Sequence, residues 1–190
     1  MTGAVLAGGK SVRFGKNKAL EVFEGMRFVE RAVASLRPFC DPVIVVVNEL
    51  ALYADLGVTL VRDVLPHQGP LGGIYTALLF SEAEWIFVKA TDMPFLVPEM
   101  ASLMIGAREG FDAVVPKRND FHEPLLALYN RRCLPAIARQ LETDERQIVR
   151  FYRKIKVRSI PEEQWRTIDP EAVSFRNVNT PQDLAELKWT

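Results

Sequence analysis

The chain has 190 residues, enough for one domain with a sizeable core, and its 48% hydrophobic and 25% charged residues are the proportions of a globular protein. Its 24 basic residues are balanced by 24 acidic ones, which leaves no surplus for a broad nucleic-acid surface. No apolar run has the length of a membrane span, and no charged n-region precedes the opening segment, so a cytoplasmic protein off the membrane is expected.

The opening apolar run, Thr2 to Ala7, reads as a buried strand and breaks straight into Gly8-Gly9-Lys10-Ser11-Val12-Arg13-Phe14-Gly15-Lys16-Asn17-Lys18. Glycines let the main chain turn sharply and present its N–H groups to an anion. Arg13 and Lys18 add full charges, and a guanidinium can grip two phosphate oxygens at once. The pattern therefore predicts an exposed loop on which Arg13 and Lys18 face phosphate, against an ordinary glycine-rich turn with solvated lysines. It is not a P-loop, because Ala4 stands where the first glycine would be needed. The glycine spacing also fails the dinucleotide fingerprint.

Further apolar, β-branched runs at 43–47, 58–62, 85–90 and 112–115 predict buried strands. Between them, 27–37 has apolar residues at helical spacing, and Pro70 and Pro98 suit the first turns of two more helices. This alternation predicts an α/β fold, a Rossmann-like three-layer sandwich with a mainly parallel, mixed sheet, over residues 1–190 as a single domain. Segments 124–130, 155–160 and 174–178 are expected to add strands, some antiparallel. Thr180-Pro181-Gln182-Asp183 reads as the capped start of a last helix. Cys40 and Cys133 have no metal-ligand spacing and are expected as reduced thiols.

The polar residues fall at the ends of these runs: Gly8 after the first, Asn48 after the second, Asp63 after the third, Asp92 after the fourth. In an open parallel sheet the carboxyl ends share one edge, and ligands bind in the crevice there. Asp92 is the candidate metal ligand, a hard oxygen suited to Mg²⁺, which binds one or two carboxylates plus phosphate. The competing reading is a turn aspartate ahead of Pro94. Asn177 and Asn179 are candidates for a second metal or substrate contact, against a plain turn role. Asp63 and Asn48 flank a candidate base and ribose site, where a carboxylate can accept from paired donors on a base edge, or Asp63 merely caps a turn. Gly69-Pro70-Leu71-Gly72-Gly73 offers small residues at a helix N-terminus, against which a flat base could lie. His122 lies in the polar stretch 117–123, which reads as a surface loop rather than the place of a catalytic histidine and which could cover a second substrate, and Arg146, Arg150, Arg153 and Lys154 read as a solvated face against an anion site. His67 and the tryptophans carry no functional signal.

The series Leu6-Ala7-Gly8-Gly9, Arg13-Phe14-Gly15 and Lys18 resembles the N-terminal signature of nucleotidyltransferases. Adding Val47-Asn48, Asp63, Gly69-Pro70-Leu71-Gly72-Gly73, Thr91-Asp92-Met93-Pro94, Pro124-Leu125, Leu128-Tyr129 and Asn177-Val178-Asn179-Thr180-Pro181, in that order, the chain is similar to the molybdenum cofactor guanylyltransferases. Two positions depart from that family's common pattern, Phe14 for Met and Asn17 for Asp. The resemblance implies transfer of GMP from GTP to molybdenum-molybdopterin, with Mg²⁺ as cofactor. It implies Arg13, Lys18 and Asp92 as catalytic residues, with nucleotide contacts along Leu6, Ala7, Gly8, Gly9, Lys18, Asn48, Asp63, Gly72 and Asp92. Cofactor-insertion proteins and molybdoenzyme chaperones are the implied protein partners. A cytidylyl- or sugar-phosphate nucleotidyltransferase, and a catalytically silent nucleotide- or pterin-binding module, stay open as alternatives.

Overall fold

Val43–Val47 is five β-branched or aliphatic residues in a row, all buried, the composition of a strand covered on both faces. In the computed structural model, which describes residues 1–8, 17–65, 68–143, 145, 147–178 and 183, such runs form the middle of the sheet. The chain runs through β1 (Thr2–Leu6), a small hairpin β2 (Val22–Phe23) and β3 (Met26–Arg27), α1 (Phe28–Leu36), β4 (Val43–Val47), β5 (Thr59–Arg62) and α2 (Gly69–Phe80). It continues with β6 (Trp85–Ala90), α3 (Pro98–Gly106), β7 (Ala113–Arg118), β8 (Phe121–His122), β9 (Leu126–Asn130), α4 (Leu134–Leu141), β10 (Val157–Ile160) and α5 (Glu162–Trp165).

Among the described residues the main sheet has the order β10-β7-β9-β6-β1-β4-β5, with β8 attached to β7. β5, β4, β1 and β6 pair in parallel, as do β7 and β10. β9 is antiparallel to both of its neighbours, and β8 to β7. The chain winds outward from β1 through β4 to β5 and returns to place β6 on the other side of β1. The switch point thus lies beside β1.

The two faces of the sheet have separate cores. Leu36 from α1, Met100 and Met104 from α3, and Trp165 and Phe175 meet Val5, Val45 and Phe87 on one face. Ile74 and Leu78 from α2, Ile137 from α4, and Phe151 meet Ala4, Ile44, Val46 and Val88 on the other. The result is the expected three-layer α/β/α sandwich with a mixed, mainly parallel sheet. Cys40 belongs to the first core and Cys133 to the second, so the two thiols are free, and burial pushes each up to about 12. Among the described residues no helix is long and apolar enough to cross a membrane.

Three expectations need correction. Segment 174–178 is no strand: Val173–Phe175 is a 3₁₀ turn. Asp169, almost wholly buried, accepts from Val173 N at 2.7 Å and Ser174 N at 2.8 Å, and Phe175 N and Arg176 N then close the turn on the Ala172 and Val173 carbonyls, so these N–H groups are taken locally. His122 is not in a loop but on β8, half-buried, with its ring edge against Tyr152 and Nε2 at 2.9 Å from Ser159 Oγ. Burial and then Lys117 lower its pKa. Third, Lys18, expected on an exposed loop, is buried. Arg150, Arg153 and Lys154 are exposed as expected. Arg146, His67 and the segment 180–182 lie outside the described residues, although Asp183 is helical.

Candidate active site

Register levels the strand ends. Leu6 pairs with Val46 on one side and Ala90 on the other, and Val47 pairs with Arg62. The chain then leaves all four strands at one height, tied by Ala7 N to the Val46 carbonyl at 2.9 Å, Asp63 N to Val47 O at 2.9 Å and Thr91 N to Leu6 O at 3.4 Å. Gly8, Asn48, Asp63 and Asp92 are therefore brought to one edge, around the switch point. A Cβ built on Gly8 would stand 3.4 Å from Asn48 Nδ2, which shows how closely these two loops approach.

α2 begins directly over this edge, with Pro70 in its first turn. Its small residues have a packing reason. A Cβ on Gly72 would stand 3.0 Å from the Leu65 carbonyl oxygen, and one on Gly73 3.3 Å from Leu6 Cδ2. Asp63 Oδ1 accepts from Thr76 Oγ1 at 2.7 Å and from Leu65 N at 3.1 Å. That oxygen fixes the turn to the helix. Asp63 Oδ2 would lie 3.6 Å from a Cβ on Gly72.

Lys18 opens a 3₁₀ turn whose N-cap is Asn17. Asn17 Oδ1 accepts from Ala19 N at 3.2 Å, while Nδ2 donates to the Tyr53 hydroxyl at 2.9 Å. Tyr53, itself buried, in turn donates to the Ala7 carbonyl at 3.2 Å. The asparagine thus ties Lys18 to the end of β1 and to the 3₁₀ turn Leu50–Tyr53 that follows β4. Burial lowers the Lys18 pKa, while the Asp92 and Asp183 carboxylates draw it the other way. The lysine therefore lies within the field of Asp92, across the switch point.

Asp92 Oδ1 is buried and, among the described residues, has no hydrogen-bond partner. Its main chain is held by Val178 N at 2.9 Å, so the segment carrying Asn177 is laid alongside it, with the Asn177 side chain exposed. Gly9, Arg13 and Asn179 lie outside the described residues.

A MobA-like NTP transferase domain is recognised over residues 3–158. A curated relative, the molybdenum cofactor guanylyltransferase of Desulfosudis oleivorans, is 38% identical across 97% of this chain and 92% of its own length. The chain belongs to the MobA-like NTP transferases. Among solved structures it is similar to molybdopterin-guanine dinucleotide biosynthesis protein A of Archaeoglobus fulgidus, at 30% identity and a TM-score of 0.84 over 98% of this chain and 96% of that one. The fold extends to a 4-diphosphocytidyl-2C-methyl-D-erythritol synthase of Anaerococcus prevotii, at 13% identity and a TM-score of 0.71 over 97% and 92%.

In this MobA-like NTP transferase the edge also receives residues that sequence reasoning did not single out. β9 is antiparallel and Leu126 pairs with Lys89, so it is the start of β9 that reaches the carboxyl ends of its neighbours. Glu123 arrives there half-buried. Burial raises its pKa, with Arg118 lowering it and Asp92 raising it. Arg118, at the end of β7, donates to the Phe175 carbonyl at 3.1 Å. An acid just ahead of an expected antiparallel strand was the available signal.

Proposed function

We propose that this nucleotidyltransferase transfers GMP from GTP to the terminal phosphate of molybdenum-bearing molybdopterin and releases pyrophosphate. The observation that carries this reading is the buried Lys18 within the field of Asp92 at the switch point. The acceptor follows from the names of the relatives at this level of identity. An oxygen of the acceptor phosphate forms a bond to the α-phosphorus of GTP, and the bond from that phosphorus to the β-bridging oxygen breaks. Its electron pair leaves on pyrophosphate. The attacking oxygen is already anionic near neutrality, so no strong general base is required.

The obstacle is repulsion between two polyanions, and the chain's residues address it by charge and position. Lys18, with Arg13 from the same loop, binds the triphosphate and stabilises charge that moves toward the leaving group. Asp92 fits a divalent ion: Oδ1 is a hard, buried oxygen without a partner among the described residues, and Mg²⁺ is satisfied by few carboxylates when phosphates complete its shell. When bound, Mg²⁺ would supply charge neutralisation at the phosphates. Asn177 and Asn179 are the candidates for further contacts. On the far side of Asp92, Arg118 and Glu123 border the acceptor.

The fold is shared with a protein named for a diphosphocytidyl product, so the base must be chosen by side chains and loops. Asp63, Asn48, Gly8 and the main chain around Leu6 and Gly72 are assigned to that choice. Pyrophosphate release from GTP, with Mg²⁺ and molybdenum-molybdopterin, tests the reaction. Faster release from CTP, or with a sugar phosphate as acceptor, would move the protein to another branch, and no release from any donor would make it a binding module.

Base reading has its own test. Asp63→Asn keeps Oδ1 for Thr76 and Leu65 N, and replaces Oδ2 by a donor that opposes the donors of guanine. The GTP-to-CTP affinity ratio should fall about tenfold, the size of one polar group left unmatched in a buried site. Competition binding measures it. An unchanged ratio would leave Asp63 as a turn cap only.

A further inference from the structure

β6 is buried along nearly its whole length, and its fifth residue is a lysine. Lys89 has no exposed surface, an environment that lysine almost never occupies without a charged partner. Among the described residues no carboxylate meets it. Its Nζ donates instead to Ser35 Oγ on α1 and to the Phe95 carbonyl, each at 2.8 Å. Burial alone holds its pKa well below the ordinary lysine range. An apolar side chain of similar length would fill this volume without the desolvation cost. What the amine adds is its two acceptors.

The Phe95 carbonyl belongs to the loop that carries Asp92, and Ser35 anchors the amine to α1. The chain leaves β6 at Ala90, turns with Met93 N on the Ala90 carbonyl at 3.3 Å, and comes back over the strand at Phe95, where Lys89 Nζ receives it. Ser35 is fixed in turn, its hydroxyl donating to the Ala32 carbonyl at 2.8 Å. The outer side of the same loop is held by other groups: Val178 N on the Asp92 carbonyl and Ser174 Oγ accepting from Val97 N, both at 2.9 Å. Lys89 is the strut beneath, joining the loop to α1 on one face of the sheet.

We propose that Lys89 is a positioning residue for guanylyl transfer, holding the 91–95 loop so that Asp92 stands at the height the reaction needs. The inference rests on the role given to Asp92 above. The test is Lys89→Met, which keeps length and volume and removes the donor. Its thermal unfolding midpoint should match or exceed that of the wild type. Its kcat should fall about 10- to 100-fold, as small misplacements of a catalytic group do, with KM for GTP moving far less. The Mg²⁺ concentration for half-maximal rate should rise.

Two readouts separate positioning from bulk stability. In the metal-free, substrate-free protein, amide exchange at 91–97 should quicken about tenfold or more while β4 keeps its protection. In an Asp92→Asn background, Lys89→Met should bring no further loss of rate. Unchanged exchange at 91–97, or an equal loss of rate in both backgrounds, would overturn the proposal. If Lys89→Met does not fold, Ser35→Ala removes one acceptor and should move the same exchange by a smaller factor. No movement there overturns the proposal too. Should Asp92→Asn prove fully active, the reading of Asp92 fails by itself, and exchange in Lys89→Met still decides whether the lysine holds the loop.

Discussion

Asp92→Asn is expected to lower magnesium-dependent turnover about 10²- to 10³-fold, the typical effect of losing one pre-aligned electrostatic group, while retaining GTP binding and an unfolding midpoint at or above that of the wild type. The contrast with the protein's other turn aspartates carries this expectation. Asp169 offers each oxygen to a main-chain N–H, and Asp63 gives Oδ1 to Leu65 N and Thr76. Asp169, whose part is structural, has both oxygens satisfied. Asp92 Oδ1 is buried and accepts nothing among the described residues, an orphan acceptor of the kind that a functional site keeps for a ligand. An amide removes the carboxylate's charge and is a poorer ligand for a hard cation. Steady-state rates across a Mg²⁺ titration, with GTP affinity measured separately, decide the matter. Undiminished rate with unchanged magnesium dependence would make Asp92 a turn residue.

The central strands were legible because their signal is redundant. β1, β4 and β6 are largely apolar on both faces, and Gly8, Asn48 and Asp92 follow them within two residues. Gly8, Asn48, Asp63 and Asp92 could be assigned to one cleft before any geometry, since parallel strands with helical crossovers leave their carboxyl ends no other place. The failures lie where a side chain competes with the main chain for hydrogen bonds. Segment 174–178 contains the strand-favouring Phe175 and Val178, but the buried carboxylate of Asp169, upstream in sequence, caps the chain into a 3₁₀ turn at Val173 N and Ser174 N. β2 and β3 are two residues each and turn through Glu24 and Gly25 at positive φ, too short for periodicity to register.

Other site features depend on register and burial, which one-dimensional patterning does not encode. Glu123 belongs to the edge only because β9 runs against its neighbours. Lys89 reads in sequence as a charged interruption of an apolar run, and only the structure shows that it is buried and which loop it holds. Asn17, seen in sequence as the loss of an acid beside Lys18, turns its amide to Tyr53 instead. Its contribution is to hold the loop.

Lys18→Met is expected to reduce kcat/KM for GTP about 100-fold or more, the effect of removing one charged group aimed at phosphate, with most of the fold's stability intact. Methionine keeps the volume of a side chain that is only 7% exposed, so the comparison reports charge rather than a cavity. The pH profile identifies the group. The lysine must be cationic to meet phosphate, and burial lowers its pKa from 10.5 despite Asp92 and Asp183. As pH rises through that lowered value the charge is lost, so wild-type kcat/KM should begin to fall at a lower pH than an ordinary lysine would dictate. Below it the rate should be flat as far as Lys18 is concerned. Lys18→Met should lack this alkaline limb altogether. Tyr53→Phe supplies the control for position. It removes the hydroxyl that links Asn17 to the Ala7 carbonyl while leaving the charge in place, so it should lower kcat/KM by a smaller factor and keep the limb. An alkaline limb that persists in Lys18→Met would mean that another group titrates there, and a wild-type rate in that variant would remove Lys18 from the triphosphate.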